Sequence, residues 1–219
     1  MNCLVTAGPT YEPLDRVRRL TNFSTGGLGC RLAAHLTAAG HTVVLLVGEQ
    51  ATWPGSRTAS TVEVFSTTDD LAARLQRHAA QGIDGVFHAA AVSDFAVGEV
   101  REERTDGPSS PVSAGKLPTS AGSYLVRLVP TRKLIGSFRS WFPRARLVGW
   151  KFEVDGDRTD VLAKAVQQLA TNRTDACVAN GPAYGPGFGL VTPPDSHEPL
   201  ANEAALFHAL DRFLVRPPA

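Results

Sequence analysis

The chain has 219 residues and a hydrophobic content of 43%, which suits one globular domain spanning residues 1–219. Its net charge of +1 at pH 7 gives no electrostatic basis for binding nucleic acid or an anionic membrane surface. Three distant cysteines without a CxxC pair, no signal-peptide pattern and no apolar run near the ~20 residues of a membrane span lead us to expect a cytoplasmic protein.

Short apolar runs alternate along the chain with segments of helical periodicity. Strands are predicted at residues 3–7, 42–47, 62–65, 85–89, 146–150 and 176–179, and helices at 29–39, 69–80, 131–141, 159–171 and 202–214. Because the strands are apolar without alternation, we expect helices to cover both of their faces. The repeated strand-then-helix order predicts an α/β fold with a doubly wound, mainly parallel, Rossmann-like sheet that binds ligands at the carboxyl ends of its strands.

Residues 98–123 interrupt this pattern, because they are rich in charge, proline, serine and glycine and too long for a simple connection. One interpretation is a disordered surface loop. The other is a flap over the site or a dimerisation arm, since the segment runs into a strand-like stretch at 123–129. We take residues 98–129 as an inserted flap. A second irregular segment, 181–194, is predicted to carry a short edge strand at 187–191.

The stretch from Arg18 to Gly29 places a basic pair, an amide, three hydroxyls and three glycines directly before a predicted helix. Glycines let backbone N–H groups approach a ligand closely, and a helix start favours negative charge. The stretch is therefore either a phosphate-binding loop or a glycine-rich turn without a ligand.

Several nucleotide-dependent enzyme classes lack support in the sequence. Thr25-Gly-Gly-Leu-Gly29 resembles part of the cofactor fingerprint of short-chain dehydrogenases, but it begins well after the first strand instead of directly after it. None of the three tyrosines is followed four residues later by the lysine that those enzymes need. Gly115-Lys116 is followed by Leu117, so the magnesium-binding hydroxyl of a P-loop is missing. A nicotinamide-dependent reductase is therefore the least favoured alternative.

Three groups near predicted strand ends suit an activated phosphate. Ala89-Ala-Ala-Val-Ser-Asp94 has small side chains that allow a base or a ribose to lie against the backbone, and Asp94 suits a sugar hydroxyl, a metal or a helix cap. Lys116 in the flap either meets pyrophosphate charge or is solvated. Trp150 either stacks on a base or is an ordinary core tryptophan.

Five motifs follow one another along nearly the whole chain. They are Val5-Thr-Ala-Gly-Pro-Thr-Tyr-Glu-Pro-Leu-Asp15, Val17-Arg-Arg-Leu-Thr-Asn22-Phe-Ser-Thr-Gly26, Ala89-Ala-Ala-Val-Ser-Asp-Phe95, Val148-Gly-Trp-Lys-Phe-Glu153 and Val178-Ala-Asn180. Together and in this order they resemble the phosphopantothenoylcysteine synthetases, the phosphopantothenate–cysteine ligases of coenzyme A biosynthesis.

The resemblance implies a two-step ligation. CTP or ATP activates the carboxylate of 4′-phosphopantothenate as an acyl nucleotide with release of pyrophosphate, and the amine of L-cysteine then displaces the nucleoside monophosphate. By resemblance, Asn22 holds the acyl nucleotide, Arg18 contacts a phosphate or carboxylate, and Lys116 stabilises charge that develops in the first step. These three are the expected catalytic residues.

The same resemblance implies a nucleotide site, a cofactor and partners. The expected nucleotide-binding residues are Gly8, Ser24, Thr25, Gly26, Ala89, Ala90, Asp94 and Trp150. Mg²⁺ is expected to neutralise the triphosphate, with no metal ligand assigned in the chain. A homodimer is expected, as is a separate phosphopantothenoylcysteine decarboxylase as partner, because no flavin-binding decarboxylase domain precedes the motifs.

The sequence departs from the bacterial pattern of this family in four places. Gly27 replaces a basic residue, the flap pattern is reduced to Lys116-Leu-Pro-Thr, and Val129-Pro-Thr-Arg-Lys-Leu134 replaces an Asn-Pro-Asp-Ile segment. Gln168 and Asn172 stand where two lysines are expected. We therefore expect selectivity that is relaxed or shifted toward ATP, and we keep a catalytically weak nucleotide- or phosphopantothenate-binding homologue as the alternative.

Overall fold

The computed structural model describes residues 1–103, 107–119, 122–194 and 196–215. The strands in chain order are β1 (Asn2–Ala7), β2 (Tyr11–Pro13), β3 (Arg19–Thr21), β4 (Thr42–Gly48), β5 (Thr61–Phe65), β6 (Gly85–His88), β7 (Phe95–Glu102), β8 (Ser110–Pro111), β9 (Tyr124–Pro130), β10 (Arg146–Phe152), β11 (Ala176–Asn180), β12 (Phe188–Thr192) and β13 (Ser196–Leu200). The helices are α1 (Gly27–Ala38), α2 (Thr68–Ala79), α3 (Phe138–Trp141), α4 (Arg158–Asn172) and α5 (Glu203–Val215).

The central sheet has eight strands in the order β13-β12-β11-β10-β6-β1-β4-β5. The six from β5 to β11 are parallel, whereas β12 pairs antiparallel with both β11 and β13. After β1 the chain adds strands on one side of it and then returns to add β6 on the other. This reversal creates a crevice at the carboxyl ends of β1 and β6, where sheets of this order bind ligands. The prediction of a doubly wound, mainly parallel Rossmann-like sheet is confirmed.

Helices cover both faces of this sheet. Leu32 of α1 and Leu206 of α5 pack with Val5 and Leu45 on one face. The opposite face holds α2, α3 and the side chain of Leu4, while α4 packs against β11. Neighbouring residues of β1 thus enter different core clusters, as an apolar strand without alternation predicts.

Strand β5 departs from that expectation. Val62 and Val64 are 40% and 44% exposed, because β5 is the edge of the sheet and one of its faces lacks a covering helix. At the other edge, the strand expected at 187–191 is β12, which pairs with both β11 and β13 and is therefore not an edge strand.

The helix predicted at 131–141 is wrong for most of its length. Residues 131–133 are not helical. The Thr131 N–H donates a hydrogen bond to the carbonyl of Asp94, in the turn after β6, at 2.9 Å. A 3₁₀ turn, Leu134–Ser137, then leads into the four-residue α3. Leu134 and Phe138 are buried in the core. Tertiary packing, and not helix propensity, therefore determines the conformation of this segment.

The flap forms strands in its described part, and its residues 104–106 and 120–121 lie outside the described residues. Strand β7 begins at Phe95 and pairs antiparallel with β9 and with β8, which forms a three-stranded arm outside the main sheet. Strand β7 escaped prediction because its charged residues mask the pattern. The short β2–β3 hairpin was likewise not predicted. Within the described part of the chain, none of the helices combines the length and apolar character needed to cross a membrane.

Candidate active site

The predicted nucleotide-binding residues Ala89 and Ala90 follow β6 directly at the crevice, and with Ala91 they form what we call the alanine wall. The N–H groups of Ala89, Ala90 and Ala91 donate to the Thr6 carbonyl, the Thr6 hydroxyl and the Gly8 carbonyl, at 3.2, 3.2 and 3.0 Å. All three N–H donors are therefore used within the protein. The backbone groups that this wall can offer to a ligand are carbonyl oxygens, which accept hydrogen bonds.

A buried histidine, His88, contacts the Thr6 hydroxyl that binds the alanine wall. The ring nitrogen Nδ1 of His88 lies 2.8 Å from the Thr6 hydroxyl that accepts the Ala90 N–H, and the ring packs edge-on against Phe138 at 4.7 Å between centroids. Burial lowers the pKa of His88 from 6.5 to about 4. His88 is therefore neutral at pH 7. The sequence signal, a single histidine after an apolar run, did not identify this role.

We expect acid to destabilise the fold through His88. Its pKa of about 4 lies below the 6.5 of an ordinary histidine, so the unfolded chain takes up the proton first and the contribution is lost as pH falls from about 6.5 to about 4. The difference corresponds to about 3 kcal/mol in the free energy of unfolding. Urea unfolding at pH 7 and pH 4 would measure it. His88→Gln is the reference, and parallel pH curves for the two proteins would contradict this prediction.

Asn22 lies at the edge of the crevice. Its amide Nδ2 donates to the carbonyl of Ala91 at 3.1 Å, so the structure brings together two motifs that are 69 residues apart. The preceding Thr21 hydroxyl donates to the Thr10 carbonyl at 2.9 Å, and the Thr10 N–H donates to the same Ala91 carbonyl at 3.2 Å. The backbone around Asn22 is thereby fixed at the ends of β1 and β6, while its side chain is accessible.

The glycine-rich turn before α1 is closed on one side by the chain itself. Gly8 and Gly26 have φ angles of +77° and +79°, and Cβ atoms added to them would lie 2.8 and 3.1 Å from the Cβ of Ala51. A Cβ on Gly27 would lie 2.9 Å from the Trp53 ring. The glycines therefore accommodate Ala51 and Trp53 next to the start of α1.

Two hydroxyl residues of this turn have different surroundings. The Thr25 hydroxyl accepts a hydrogen bond from the Gly27 N–H at 3.2 Å, and the Thr25 carbonyl accepts one from the Trp53 N–H at 2.9 Å. Ser24 is half-buried. Thr25 thus contributes to the turn itself, and binding of a nucleotide by Ser24, Thr25 or Gly26 stays a prediction.

Asp94 is paired with a lysine that the sequence analysis did not assign to the site. Its carboxylate oxygen Oδ1 contacts Nζ of Lys133, and both side chains are mostly exposed. The Thr131 hydroxyl donates to the Ser93 carbonyl at 2.5 Å, which fixes the two turns side by side. Asp94 therefore does not cap a helix, and Lys133 adds a cation at the carboxyl edge of the sheet. The segment around Lys133 had been singled out only as a departure from the family pattern.

The residues near Asp94 do not form a protein cage for Mg²⁺. Among the residues described in the structure, no group of three or more His, Cys, Asp or Glu side chains could hold a metal ion. Lys133 also competes for the Asp94 carboxylate. Magnesium ions commonly keep several waters and bind through substrate phosphates, and that mode suits these residues better.

Trp150 packs at the carboxyl end of β10 against the core cluster on the α1 face. Its indole N–H is buried and has no hydrogen-bond partner among the described residues. On the opposite side of the strand, Glu153 contacts Lys151 at 2.9 Å and Lys164 at 2.5 Å. Hydrogen bonds from Lys164 and Lys151 lower the pKa of Glu153. The core interpretation of Trp150 fits this packing, and base stacking stays a prediction.

Arg18 and Lys116 belong to one substructure. Nη2 of Arg18 donates to the Leu117 carbonyl at 2.7 Å, which places the exposed Lys116 next to the β2–β3 hairpin. Arg18 precedes β3 and Asn22 follows it, so their backbones lie about 13 Å apart at the usual rise of a strand. The structure therefore pairs Arg18 with Lys116 and Asn22 with Ala91, as two groups at opposite ends of β3.

The two positions expected to be lysines lie on α4. Asn172 is the last residue of α4, near the amino end of β11, and its Nδ2 donates to the Gln168 carbonyl at 3.1 Å. Gln168 contacts the buried Cys177 sulfur at 3.3 Å and fills the space over Gly149. Gly149 pairs with His88 at the carboxyl end of β6, so Gln168 lies beside the level of the crevice, and the effect of the replaced lysines on base selectivity stays a prediction.

The fold and the crevice define a Rossmann-like α/β domain whose candidate ligand site lies at the carboxyl ends of β1 and β6. The chain belongs to the family described as the DNA/pantothenate metabolism flavoprotein C-terminal domain, which matches residues 1–193.

Sequence relatives include the coenzyme A biosynthesis bifunctional protein CoaBC of Bacillus subtilis, 30% identical over 190 residues that cover 86% of this chain and 42% of the relative. CoaBC of Thermococcus kodakarensis is 29% identical over 177 residues, covering 81% of this chain and 40% of the relative. A cysteine/cysteine sulfinic acid decarboxylase of an unknown prokaryotic organism is 29% identical over 192 residues, covering 86% and 48%. The chain thus spans less than half the length of these relatives.

Solved structures share the fold along almost the whole chain. The DNA/pantothenate metabolism flavoprotein from Streptococcus pneumoniae has a TM-score of 0.82 at 23% identity and covers 98% of both chains. A Cab2 mutant in complex with phosphopantothenate-cysteine has a TM-score of 0.72 at 21% identity, covering 98% of this chain and 85% of that one. At these identities the likeness establishes the fold.

Proposed function

We propose that this protein is a phosphopantothenate–cysteine ligase of coenzyme A biosynthesis. CTP or ATP would activate the carboxylate of 4′-phosphopantothenate as an acyl nucleotide, and the amine of L-cysteine would then form the amide. The observation that carries the proposal is the contact of Asn22 with Ala91 at the crevice. This contact brings two of the family motifs together in one site. The CoaBC relatives and the ligand named for the Cab2 structure support the same chemistry.

The two groups at the ends of β3 suit the two ends of the pantothenate substrate. 4′-Phosphopantothenate carries a carboxylate at one end of an extended chain and a phosphate at the other. Asn22 and the alanine wall suit the carboxylate while it is activated, because an amide can donate to phosphate oxygen without adding charge. Arg18 suits a phosphate through a charge-assisted hydrogen bond. Lys116 would supply positive charge from the flap.

Mg²⁺ is proposed to arrive with the triphosphate. It would neutralise the phosphate charge, and the chain's own cations would orient the nucleotide around it. Lys133, which contacts Asp94, is one such cation at the carboxyl edge. Asp94 itself is proposed to contact the nucleotide sugar.

The direct test is product formation. Purified protein with 4′-phosphopantothenate, L-cysteine, Mg²⁺ and each of the four ribonucleoside triphosphates should release pyrophosphate and yield phosphopantothenoylcysteine, identified by mass spectrometry. Nucleotide binding without either product would instead favour a catalytically weak homologue. Release of pyrophosphate without cysteine-dependent amide formation would contradict the second half of the reaction.

ATP and CTP should be preferred over UTP. The N–H groups of Ala89 to Ala91 are used internally, so backbone readout depends on carbonyl acceptors that suit the amino group of adenine or cytosine. We expect kcat/KM for ATP to be at least comparable to that for CTP, and both to exceed UTP by at least about tenfold, which is ~1.4 kcal/mol. Equal use of UTP would contradict carbonyl readout, and a hundredfold CTP preference would contradict the expectation for ATP.

The chain should form a homodimer through its flap. Phe95, Val126 and Leu128 are between 40% and 47% exposed on the three-stranded arm, and the pairing of β7 with β9 places them on one face, which leaves an apolar surface there. Light scattering should give twice the chain mass of 23.3 kDa. Leu128→Asp should shift the mass toward one chain, whereas Val62→Asp, at a similarly exposed valine on β5, should not. A single-chain mass for the unmodified protein would contradict the prediction.

The proposed dimer allows the flap to contribute to the interface or to cover the partner's site. A separate phosphopantothenoylcysteine decarboxylase is the proposed enzyme for the next step, because the product of ligation keeps the carboxylate of cysteine, which such an enzyme removes. These proposals concern assembly, and the ligation assay does not depend on them.

A further inference from the structure

Asp15 connects the β2–β3 hairpin with the flap through a buried carboxylate. Its side chain is 1% exposed. Oδ1 accepts hydrogen bonds from the backbone N–H groups of Val17 and Arg18, both at 2.7 Å, and Oδ2 accepts one from the N–H of Leu117 at 3.1 Å. One carboxylate therefore holds both the turn that leads into Arg18 and the flap residue that follows Lys116.

Other contacts strengthen the same connection. The Arg18 guanidinium donates to the Leu117 carbonyl at 2.7 Å and lies 3.7 Å from the Asp15 carboxylate. The Arg16 N–H donates to the Gly115 carbonyl at 3.0 Å. Leu117 is 4% exposed. Lys116 thus has an exposed side chain between two anchored neighbours, so its backbone has little freedom of its own.

The connection also forms part of a basic cleft. A cavity of about 680 Å³ lies between the hairpin and flap residues 113–115, and Arg16, Arg18 and Arg19 line it together with Asp15. The Asp15 carboxylate accepts hydrogen bonds from backbone N–H groups and is buried, so it contributes little negative charge to the cleft surface. The cleft is therefore predominantly positive, and its two walls are joined at Asp15.

The charged form of Asp15 is favoured. Burial by itself raises the pKa of this carboxyl, but hydrogen bonds from the N–H groups of Leu117, Val17 and Arg18 and the charge of Arg18 outweigh it and hold the pKa below the usual range. A charged carboxylate is a pure acceptor, so it can hold all of these donors at once. An uncharged amide cannot, since one of its two polar atoms is a donor.

We infer that Asp15 is a positioning residue, which fixes the flap backbone at Lys116 relative to Arg18 so that one rigid unit presents both cations. The consequence for turnover rests on the proposed ligase function. The connection between the hairpin and the flap does not depend on that function, and it can be measured in the protein without substrates.

The first test is amide exchange of Leu117, followed by NMR in the full chain. In Asp15→Asn the amide nitrogen would face the Leu117 N–H or the turn, so exchange at Leu117 should be at least tenfold faster while the unfolding midpoint stays close to that of the unmodified protein. Glu12→Gln is the matched control. Glu12 lies in the same hairpin, and its carboxylate accepts a hydrogen bond from the N–H of Thr68, the first residue of α2, at 3.1 Å, so Leu117 exchange should not change.

The second test separates positioning from stability. In Asp15→Asn, kcat for ligation should fall at least tenfold with KM for the nucleotide within twofold, and Asp15→Glu should recover part of the rate, because it keeps the charge. Asp15→Glu also serves if the asparagine variant does not fold, with an intermediate increase in exchange expected. Unchanged Leu117 exchange in the folded variants, or faster exchange with unchanged kcat, would overturn the inference. An inactive unmodified protein would refute the ligase function alone, and the exchange comparison would still decide the connection.

Discussion

Replacing Asn22 with aspartate is expected to stop formation of phosphopantothenoylcysteine while leaving the fold intact. The substitution keeps the size of the side chain but removes the Nδ2 donor that bonds the Ala91 carbonyl at 3.1 Å. It places a carboxylate against that carbonyl and against the phosphate of the proposed acyl nucleotide. Two acceptors without a shared proton repel each other, and the added charge opposes binding of a phosphate. Product formation should fall below detection in a mass-spectrometric assay.

The two half-reactions should respond differently to this change. By the family resemblance, the acyl nucleotide can still form or even accumulate in a variant at this position, so one equivalent of pyrophosphate per site is the expected burst. Asn172→Asp provides a matched control, because its Nδ2 also donates to a backbone carbonyl at 3.1 Å but lies at the end of α4, away from the crevice. The control should turn over normally. Normal turnover in Asn22→Asp would remove Asn22 from the proposed site.

Most strands of the main sheet could be predicted from the sequence because both of their faces are covered, although β5 has one exposed face and β13 was not predicted. Such strands carry consecutive apolar residues, as at Cys3, Leu4 and Val5 of β1, and that pattern is local. The β2–β3 hairpin and β7 lack it, because they are exposed and carry charged or polar residues between apolar ones. Tertiary contacts set their conformation, and a local pattern does not report these contacts.

The candidate site was predictable in part for the same reason. Motif order placed Asn22 and the Ala89 segment in one family pattern, and the structure brings them into contact. The glycines before α1 were indistinguishable from a phosphate loop, since only the tertiary structure places Ala51 and Trp53 against them. Asp15 and Leu117 are 102 residues apart, so no local spacing could indicate their hydrogen bond. Asp15 lay within a quoted motif, but the motif did not indicate what its carboxylate binds.

Replacing Lys116 with glutamine is expected to slow the activation step by roughly 2–4 kcal/mol, which corresponds to a loss of about thirtyfold to a thousandfold. The side chain is exposed, so its removal should not change stability. Binding of 4′-phosphopantothenate should change less than turnover, because we propose that the lysine acts on charge that develops during attack on the triphosphate. Pyrophosphate release in single-turnover experiments measures this step directly. Lys164→Gln is the matched control, because Lys164 lies on α4, forms an ion pair with Glu153 and has no proposed role.

The distance between the two groups at the ends of β3 makes a further experiment informative. Lys116 is anchored beside Arg18, about 13 Å along the strand from Asn22, so a flap that covers the partner's site would let one chain supply Lys116 and the other Asn22. Mixing Asn22→Asp with Lys116→Gln protein should then restore about a quarter of the normal activity, since half of the dimers are mixed and each has one intact site. No restoration would mean that each chain uses its own Lys116. Unchanged pyrophosphate release in Lys116→Gln alone would show that this lysine is a solvated flap residue, whichever chain carries it.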